Sequence, residues 1–391
     1  MATSDQVTTG ADESGRVLTS STLPYYLGGF LGPFGTVVVI AIYPELRATF
    51  DATSEQVNWA FSGYLLPMAA LLLVAGTVGE RLGRRRVTRV TFLAYAGASM
   101  ICVVAPTLEF FVAGRVLQGA ANAFVTPLLI AGLTEVTDPA RLGRAIGVYS
   151  SFQAAGAALA PFVGGLLAVV DWRLVFVVVA VVALGLATRP PQGEPRPAAA
   201  APPIRPLFST RMVLLWVAAF SAAAGPLGIA VILGLYLRDE LGAGSTAAGV
   251  VLLLGGLAPM VLGPVWGRLL DSWGAVRSSA VSVTALVAVM APLGLLTNIA
   301  AVTLVWTVGA ALVGFVVIIT QQLSAIAVPD NRGGALSTVM SFRFVGHAIG
   351  PLVFVPIVAD DSALAFAGAA GFGLFTLVSL VAAARRIEPG S

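Results

Sequence analysis

Long stretches without a single charge constrain this chain more than any other feature. Reading only for Asp, Glu, Arg and Lys, the empty runs are Val17–Pro44, Gln56–Gly79, Val90–Leu108, Ala145–Val170, Leu174–Thr188, Met212–Leu237, Leu241–Gly267, Ser278–Pro329 and Ser362–Ala384. The run 278–329 is too long for one helix, and Pro292, Asn298 and the small residues around them divide it in two. Two further stretches are each broken by one Arg: 110–134 by Arg115 and 333–359 by Arg343. Together these make twelve segments, each near the ~20 apolar residues that cross a bilayer as a helix. Trp172 and its flanks lengthen the short run at 174–188. The segments are apolar on every face, and in lipid a helix satisfies its own backbone groups. The expected fold is all-α and integral to the membrane, with twelve transmembrane helices.

Composition agrees. Apolar residues make up 58% of the 391 and charged residues 10%, against roughly 25% charged in soluble domains. Rare residues exclude whole chemistries. All 22 basic residues are Arg, so a phosphate-binding loop ending in G-K-[ST] and any Lys-linked Schiff-base cofactor are ruled out. One His and one Cys, His347 and Cys102, cannot build a His/Cys zinc site. The chain is read as a non-enzyme without metal or organic cofactor. A net charge of +3 is too small to argue for nucleic acid.

The Arg distribution sets orientation. With the amino terminus in the cytoplasm, the inner segments hold Arg16, Arg81, Arg84, Arg85, Arg86, Arg89, Arg141, Arg144, Arg189, Arg196, Arg205, Arg211, Arg268, Arg277, Arg332, Arg385 and Arg386. The outer loops hold only Arg47, Arg173 and Arg238. By the positive-inside rule both termini are expected to be cytoplasmic. Residues 1–20 read as a disordered cytoplasmic tail, polar and without the basic start and short apolar core of a cleaved signal.

Residues 189–209 hold seven of the 23 prolines and no apolar periodicity. They read as a cytoplasmic linker between bundles at 21–188 and 210–391, six helices each. The halves repeat. Leu46-Arg47 recurs as Leu237-Arg238 and Gly76-x-Val-x-Glu80-x-x-Gly83 as Gly267-x-Leu-x-Asp271-x-x-Gly274, both 191 residues on. Phe152 matches Phe342, and Gly156-x-x-x-Ala160-Pro161 matches Gly346-x-x-x-Gly350-Pro351, 190 residues on. Pseudo-symmetric halves of this kind are a transporter architecture with the substrate site at mid-membrane between them.

Polar residues inside spans mark the expected site. On the fourth span Arg115, Gln118, Asn122 and Thr126 share one helix face. On the eleventh, Arg343 and His347 stand one turn apart. An Arg within a span should face the bundle interior or water. His347 has the side chain whose ordinary pKa suits a switch near neutrality. Gln153 and Trp306 complete the expected substrate and proton cavity. Tyr25, Tyr64 and Trp216 are further candidates for an apolar wall. No Asp or Glu lies deep in a span, which favours neutral or anionic amphiphiles over strongly cationic compounds. Glu45, Asp51 and Glu109 at the outer edge are alternative proton sites.

Three motifs resemble the major facilitator superfamily, over about residues 22–386. The loop Gly76-Thr-Val-Gly-Glu80-Arg81-Leu-Gly83-Arg84-Arg85-Arg86 is similar to its loop 2–3 signature G-x-L-x-D-R-x-G-R-[KR], with Val78 for Leu and Glu80 for Asp. The resemblance implies a cytoplasmic gate at Gly76, Glu80, Arg81, Gly83 and Arg84, with a second copy at Asp271 and Gly274. Arg115-Val-Leu-Gln118-Gly119 resembles the family's R-x-x-Q-G, whose Arg is associated with proton coupling. Gly147, Gly156, Ala160-Pro161 and Gly164-Gly165 resemble the antiporter helix signature G-x8-G-x3-G-P-x2-G-G, with Ala160 for one Gly. Asp171-Trp172-Arg173 and Val57-Asn58-Trp59 with Tyr64 look like the same drug:proton antiporter branch. The implied protein is a monomeric transporter in the prokaryotic plasma (inner) membrane, exporting small hydrophobic or amphipathic compounds by alternating access on the proton gradient. Its partners are the substrate, protons and the lipid bilayer. An uptake carrier or facilitator for an anionic metabolite is the alternative within transport. A membrane receptor on a transporter fold is the alternative of another class.

Overall fold

The computed structural model describes residues 18–19, 21–138, 142–190 and 204–387, except for the side chains at 76, 77, 79–81, 142 and 143. Most of the expected tail and linker, 1–17, 20 and 191–203, lies outside the described residues, as do the side chains of Gly76, Glu80 and Arg81 of the gate motif. Every described element is helical.

Ten helical segments are long and apolar enough to cross a membrane. One of them, Ser245–Leu295, is two limbs: its α-helix leaves helical geometry at Gly274, where φ is 73° and ψ 165°. The shorter apolar helix Arg173–Thr188 stands beside them. Counting the two limbs separately and adding the short helix gives the twelve segments expected from the charge-free runs. In chain order they are α1 (Leu23–Phe50), α2 (Ser54–Leu82), α3 (Arg84–Val104), α4 (Leu108–Val136), α5 (Leu142–Ala168), α6 (Arg173–Thr188), α7 (Thr210–Glu240), α8 (245–273), α9 (275–290), α10 (Ile299–Ala327), α11 (Arg332–Asp360) and α12 (Ser362–Ile387). The turns at 83 and 274 lie on the face that also bears both ends of the described chain, the terminal face. The turns at 51 and 242 lie on the opposite face.

Local chemistry explains the boundaries. Thr53 caps α2 in a reciprocal capping box with Gln56, which satisfies two otherwise orphaned amides. Thr107 caps α4 by accepting from the Phe110 amide, and Asn298 caps α10 by accepting from Ala300 and Ala301. Asn298 thus divides the run 278–329, aided by the turn after α9 at Pro292.

The repeat is written into the backbone. The described residues with positive φ are Asp51, Gly83, Gly242 and Gly274, two pairs 191 residues apart. At Gly83 and Gly274, φ is 87° and 73°. A side chain is strained there, which is why the loop motif carries glycine in both copies. Helices α4 and α10 are 29 residues each and start 191 apart. The antiporter-like helix obeys the same symmetry. A Cβ on Gly156 would overlap the Phe30 carbonyl of α1, and one on Gly346 the Phe220 carbonyl of α7. Both residues and both partners are 190 apart. Small residues let these helices approach to backbone contact.

Candidate functional site

The two bundles enclose a cavity of about 540 Å³. Its amino-terminal wall comes from α1 (Val37, Ile40) and α5 (Ser150, Ala154, Ala157, Ala158, Pro161). Helices α7, α8 and α10 supply the rest, including Leu227, Leu252, Gly255, Trp306 and Val317. No charged side chain lines it. Most of the wall is Ala, Gly and aliphatic residues, because α5 and α8 lie almost backbone to backbone. A Cβ on Gly249 would meet the Pro161 carbonyl at 2.7 Å, and one on Gly256 the Ala158 Cα at 2.7 Å.

One end of the cavity is sealed. Arg238 on α7 donates to Glu45 on α1 at 2.8 Å and to the Ala41 carbonyl at 3.4 Å. Arg47 on α1 pairs with Asp239 on α7. Arg47 and Arg238 are equivalent in the repeat, so each half sends its Arg across to an acid of the other. Deeper in, the Ser62 hydroxyl on α2 donates to the Ala348 carbonyl on α11 at 2.6 Å. These polar side-chain contacts between the bundles lie in the half nearer the opposite face. In the terminal half, Arg84 pairs with Glu135 at 2.7 Å, within the amino-terminal bundle. Cavity-lining Met260, midway along α8, is 46% exposed, so the cavity is not closed on every side.

The residues expected in the cavity separate into three groups. Trp306 lines it. Arg343 lines a smaller cleft between α7, α10 and α11 that shares Leu227 and Val317 with the cavity wall. His347 is half-buried one turn further along α11. Arg115, Gln118, Asn122 and Gln153 lie elsewhere, and here the cavity expectation is corrected. Arg115 is fully buried in the amino-terminal bundle. Its Nε donates to the Ala60 carbonyl at 2.9 Å, and its Nη1 to the Gly35 carbonyl and to Gln118 Oε1, both at 2.8 Å. Nη2 reaches the Thr36 carbonyl at 3.3 Å. The guanidinium lies 4.4 Å from the Tyr64 ring centroid. Gly35 and Thr36 directly precede the point where α1 tightens into a 3-10 stretch, Val38–Ile42, where the i−4 bonding pattern shifts. Gln118 passes the network on to Ser99 at 2.7 Å. Asn122 donates to Met68 Sδ, and Gln153 to Thr126 at 3.3 Å. Of the other aromatic candidates, Tyr25 and Tyr64 are buried in the core, and Trp216 stacks on Phe342 at 4.9 Å.

The antiporter-like helix faces two ways. Gly156 and Gly164 abut α1, while Gly165 abuts the Ser245 carbonyl of α8. Ala160 is buried and Pro161 lines the cavity. Gly147 departs from the close-packing expectation, since a Cβ there would meet nothing within 4 Å. In the second loop copy, Gly274 makes the turn and Asp271 is exposed. The site residues that the sequence reading missed are Glu45, Arg47, Arg238 and Asp239 as a set. Their signal was the repeated Leu-Arg pair with an acid beside each copy.

Comparison with known proteins agrees with this architecture. Among solved structures, a nucleoside transporter NupG superposes with a TM-score of 0.76 at 14% identity, covering 93% of this chain and 99% of that one. A bacterial homolog to the human lysosomal transporter Spinster gives 0.71 at 18% identity, covering 93% and 94%. At these identities the likeness is one of fold. Sequence relatives include the drug efflux pump JefA of Mycobacterium tuberculosis, 35% identical over 156 residues, 39% of this chain and 30% of that protein. The puromycin resistance protein pur8 of Streptomyces alboniger is 36% identical over 152 residues, 38% and 30%. The multidrug efflux pump LfrA of Mycolicibacterium smegmatis is 31% identical over 198 residues, 49% and 39%. The matched stretches thus span well under half the length of these relatives. The Major Facilitator Superfamily profile matches residues 25–351, and again 215–390. The chain belongs to the Major Facilitator Superfamily, a family of membrane transporters rather than enzymes.

Proposed function

We propose that this chain exports small apolar or amphipathic compounds by alternating access, in exchange for protons. The observation that carries the reading is a drug-sized cavity between the bundles, sealed at one end by crossed ion pairs. Such a cavity is open to one side of the membrane at a time. Its wall suits an apolar occupant, which gains roughly 25 cal/mol per Å² of apolar surface removed from water. The partial matches to efflux pumps support the direction of transport. The Arg excess supports a cytoplasmic terminal face, with the sealed end of the cavity outward. A tag inserted at 191–203 should become accessible only after permeabilisation. Labelling from outside intact cells would reverse the orientation.

Proton coupling is part of the proposal. The cavity wall carries no carboxylate, so the proton is carried by another group. His347 beside the cleft and Glu45 at the seal are the candidates. The test is purified protein in liposomes carrying an internal pH dye, with a pH gradient imposed and a panel of apolar compounds added. Export by antiport predicts proton movement opposite to compound movement. Compound movement indifferent to the gradient overturns the coupling. No movement of any apolar compound overturns the substrate class.

A further inference from the structure

Arg343 stands about 16 Å along α11 from its terminal-face end, at 1.5 Å per residue. That is near the centre of a ~30 Å hydrocarbon layer, too deep for the side chain to reach water by stretching along the helix. A guanidinium at this depth is costly unless it is paired or faces an aqueous cavity. Arg115 shows what pairing looks like in this protein, with four hydrogen bonds to carbonyl oxygens. Arg343 has no such partners. Among the described residues neither a carboxylate nor any other hydrogen-bond acceptor engages it, and its one ring neighbour is Phe344 at 5.6 Å.

Its surroundings give the missing partner a shape. Arg343 lines the cleft with Thr320, Gln321 and Ser324 of α10. Thr320 and Ser324 turn their hydroxyl protons back onto their own helix, at 2.7 and 2.6 Å, so they add little positive potential. Gln321 is exposed and has an amide N–H to donate. The cleft shares Leu227 and Val317 with the wall of the large apolar cavity, whose lining carries no charge. One unpaired cation therefore sits at the margin of a large neutral chamber.

We propose that Arg343 is the head-group site of the transporter, and that the preferred substrate is an amphipathic organic anion. Its carboxylate lies on Arg343, with the Gln321 amide beside it, and its apolar body fills the cavity against Trp306. This rests on the transport reading above and narrows its substrate class. A planar guanidinium holds a carboxylate with two parallel N–H···O bonds, and the surrounding low dielectric strengthens the attraction over its value in water. The same field repels a cationic head.

Three probes with one ring system test it: 1-naphthylacetate, 1-naphthylacetamide and 1-naphthylethylammonium, each in equilibrium dialysis against purified protein. The wild type should bind the acetate at least tenfold more tightly than the amide, and the ammonium most weakly. Arg343→Gln should erase the acid-over-amide preference by weakening the acetate at least tenfold more than the amide, and the amide binding that remains shows that the variant is folded. Arg343→Lys should keep part of the preference, as the charge survives but the two-pronged geometry does not. Equal binding of acid and amide by the wild type overturns the proposal, as does a preference that survives Arg343→Gln. If none of the three binds, the cavity itself is misread and the head-group site falls with it. Acid-selective binding without any proton movement in liposomes leaves this site standing and removes only the antiport mechanism.

Discussion

Position 115 and its repeat equivalent, position 306, occupy the same place on matching 29-residue helices, yet one is Arg and the other Trp. Each faces equivalent residues on its neighbour: Arg115 stacks over Tyr64, and Trp306 packs on Gly255, 191 residues later. In the amino-terminal half the position is a polar knot that ties α1, α2 and α4 together through carbonyl oxygens. In the carboxy-terminal half it is an apolar plate on the wall of the cavity. The replacement of Tyr64 by Gly255 makes room for the indole. The halves share a fold but divide the work, with one holding its helices in fixed relation and the other shaping the chamber.

The largest effect should come from breaking the knot. Arg115→Leu removes the charged donor to the carbonyls of Ala60, Gly35 and Thr36, and a hydrogen bond to a charged group contributes ~1.5–3 kcal/mol. The summed loss should exceed about 3 kcal/mol and lower the thermal midpoint sharply. Cys102 is the lone cysteine and is buried, so its reaction with a thiol-reactive dye on heating reports the transition. Trp306→Ala should lose less stability, because part of the side chain borders open space, and should reorder the substrates instead. Equal destabilisation by the two variants, with unchanged substrate ranking, would remove the contrast between the halves.

The second test asks where the halves are alike. Gly156 and Gly346 each abut a backbone carbonyl of the first helix of their own half. Valine at either position should force those helices apart at a cost of about 1–3 kcal/mol. The two losses should be similar, and should add in the double variant since the sites are remote. A loss confined to one half would mean that the repeat is geometric without being energetic.

The third concerns the seal. The Glu45–Arg238 pair is the less exposed, at 20% and 17%, against 28% and 36% for Arg47–Asp239. Partly exposed ion pairs contribute ~0.2–1 kcal/mol. Arg238→Gln should therefore raise the population open at the opposite face by up to about fivefold, and Arg47→Gln by less. With Cys102 replaced by Ser and Val313 by Cys, an impermeant maleimide applied from that side reads the change. Labelling that is unaltered in the double variant Arg238→Gln, Arg47→Gln would show that α5–α8 packing alone closes the gate.

The sequence made the spans, the repeat and the glycine turns legible because each leaves a local mark: charge-free length, fixed offset, or a residue that tolerates positive φ. Trp306 was legible as a wall candidate. The fate of Arg115 was not, because its acceptors are the main-chain oxygens of Gly35, Thr36 and Ala60, and a carbonyl has no identity in a sequence. The motif Arg115-x-x-Gln118 shows only the one partner on the same helix. Nor did the Arg count alone expose the seal, since Arg47 and Arg238 read as ordinary loop charges until the fold brings Asp239 and Glu45 across to them. Arg343 was legible as an intramembrane cation, but its lack of a partner is a fact of three dimensions.

The smallest expected effect lies at the remaining pair of equivalent positions, Asp51 and Gly242, where the two turns on the opposite face use the left-handed region, with φ of 49° and 63°. An L side chain there costs roughly 1–2 kcal/mol, less for Asp and Asn, whose short polar side chains bond locally. Glycine avoids that cost but gives up more freedom on folding, about 0.4–1 kcal/mol. The two terms nearly cancel for Asp. Asp51→Gly and Gly242→Asp should each change stability by less than about 0.5 kcal/mol. Gly242→Val should lose more than about 1 kcal/mol, and the loss should be purely conformational because a Cβ there meets nothing within 4 Å. Thermal midpoints of the three variants decide it. A large loss for Gly242→Asp, with none for Asp51→Gly, would show that the two turns follow one backbone path under different constraints, so that the symmetry of the halves ends at the gate.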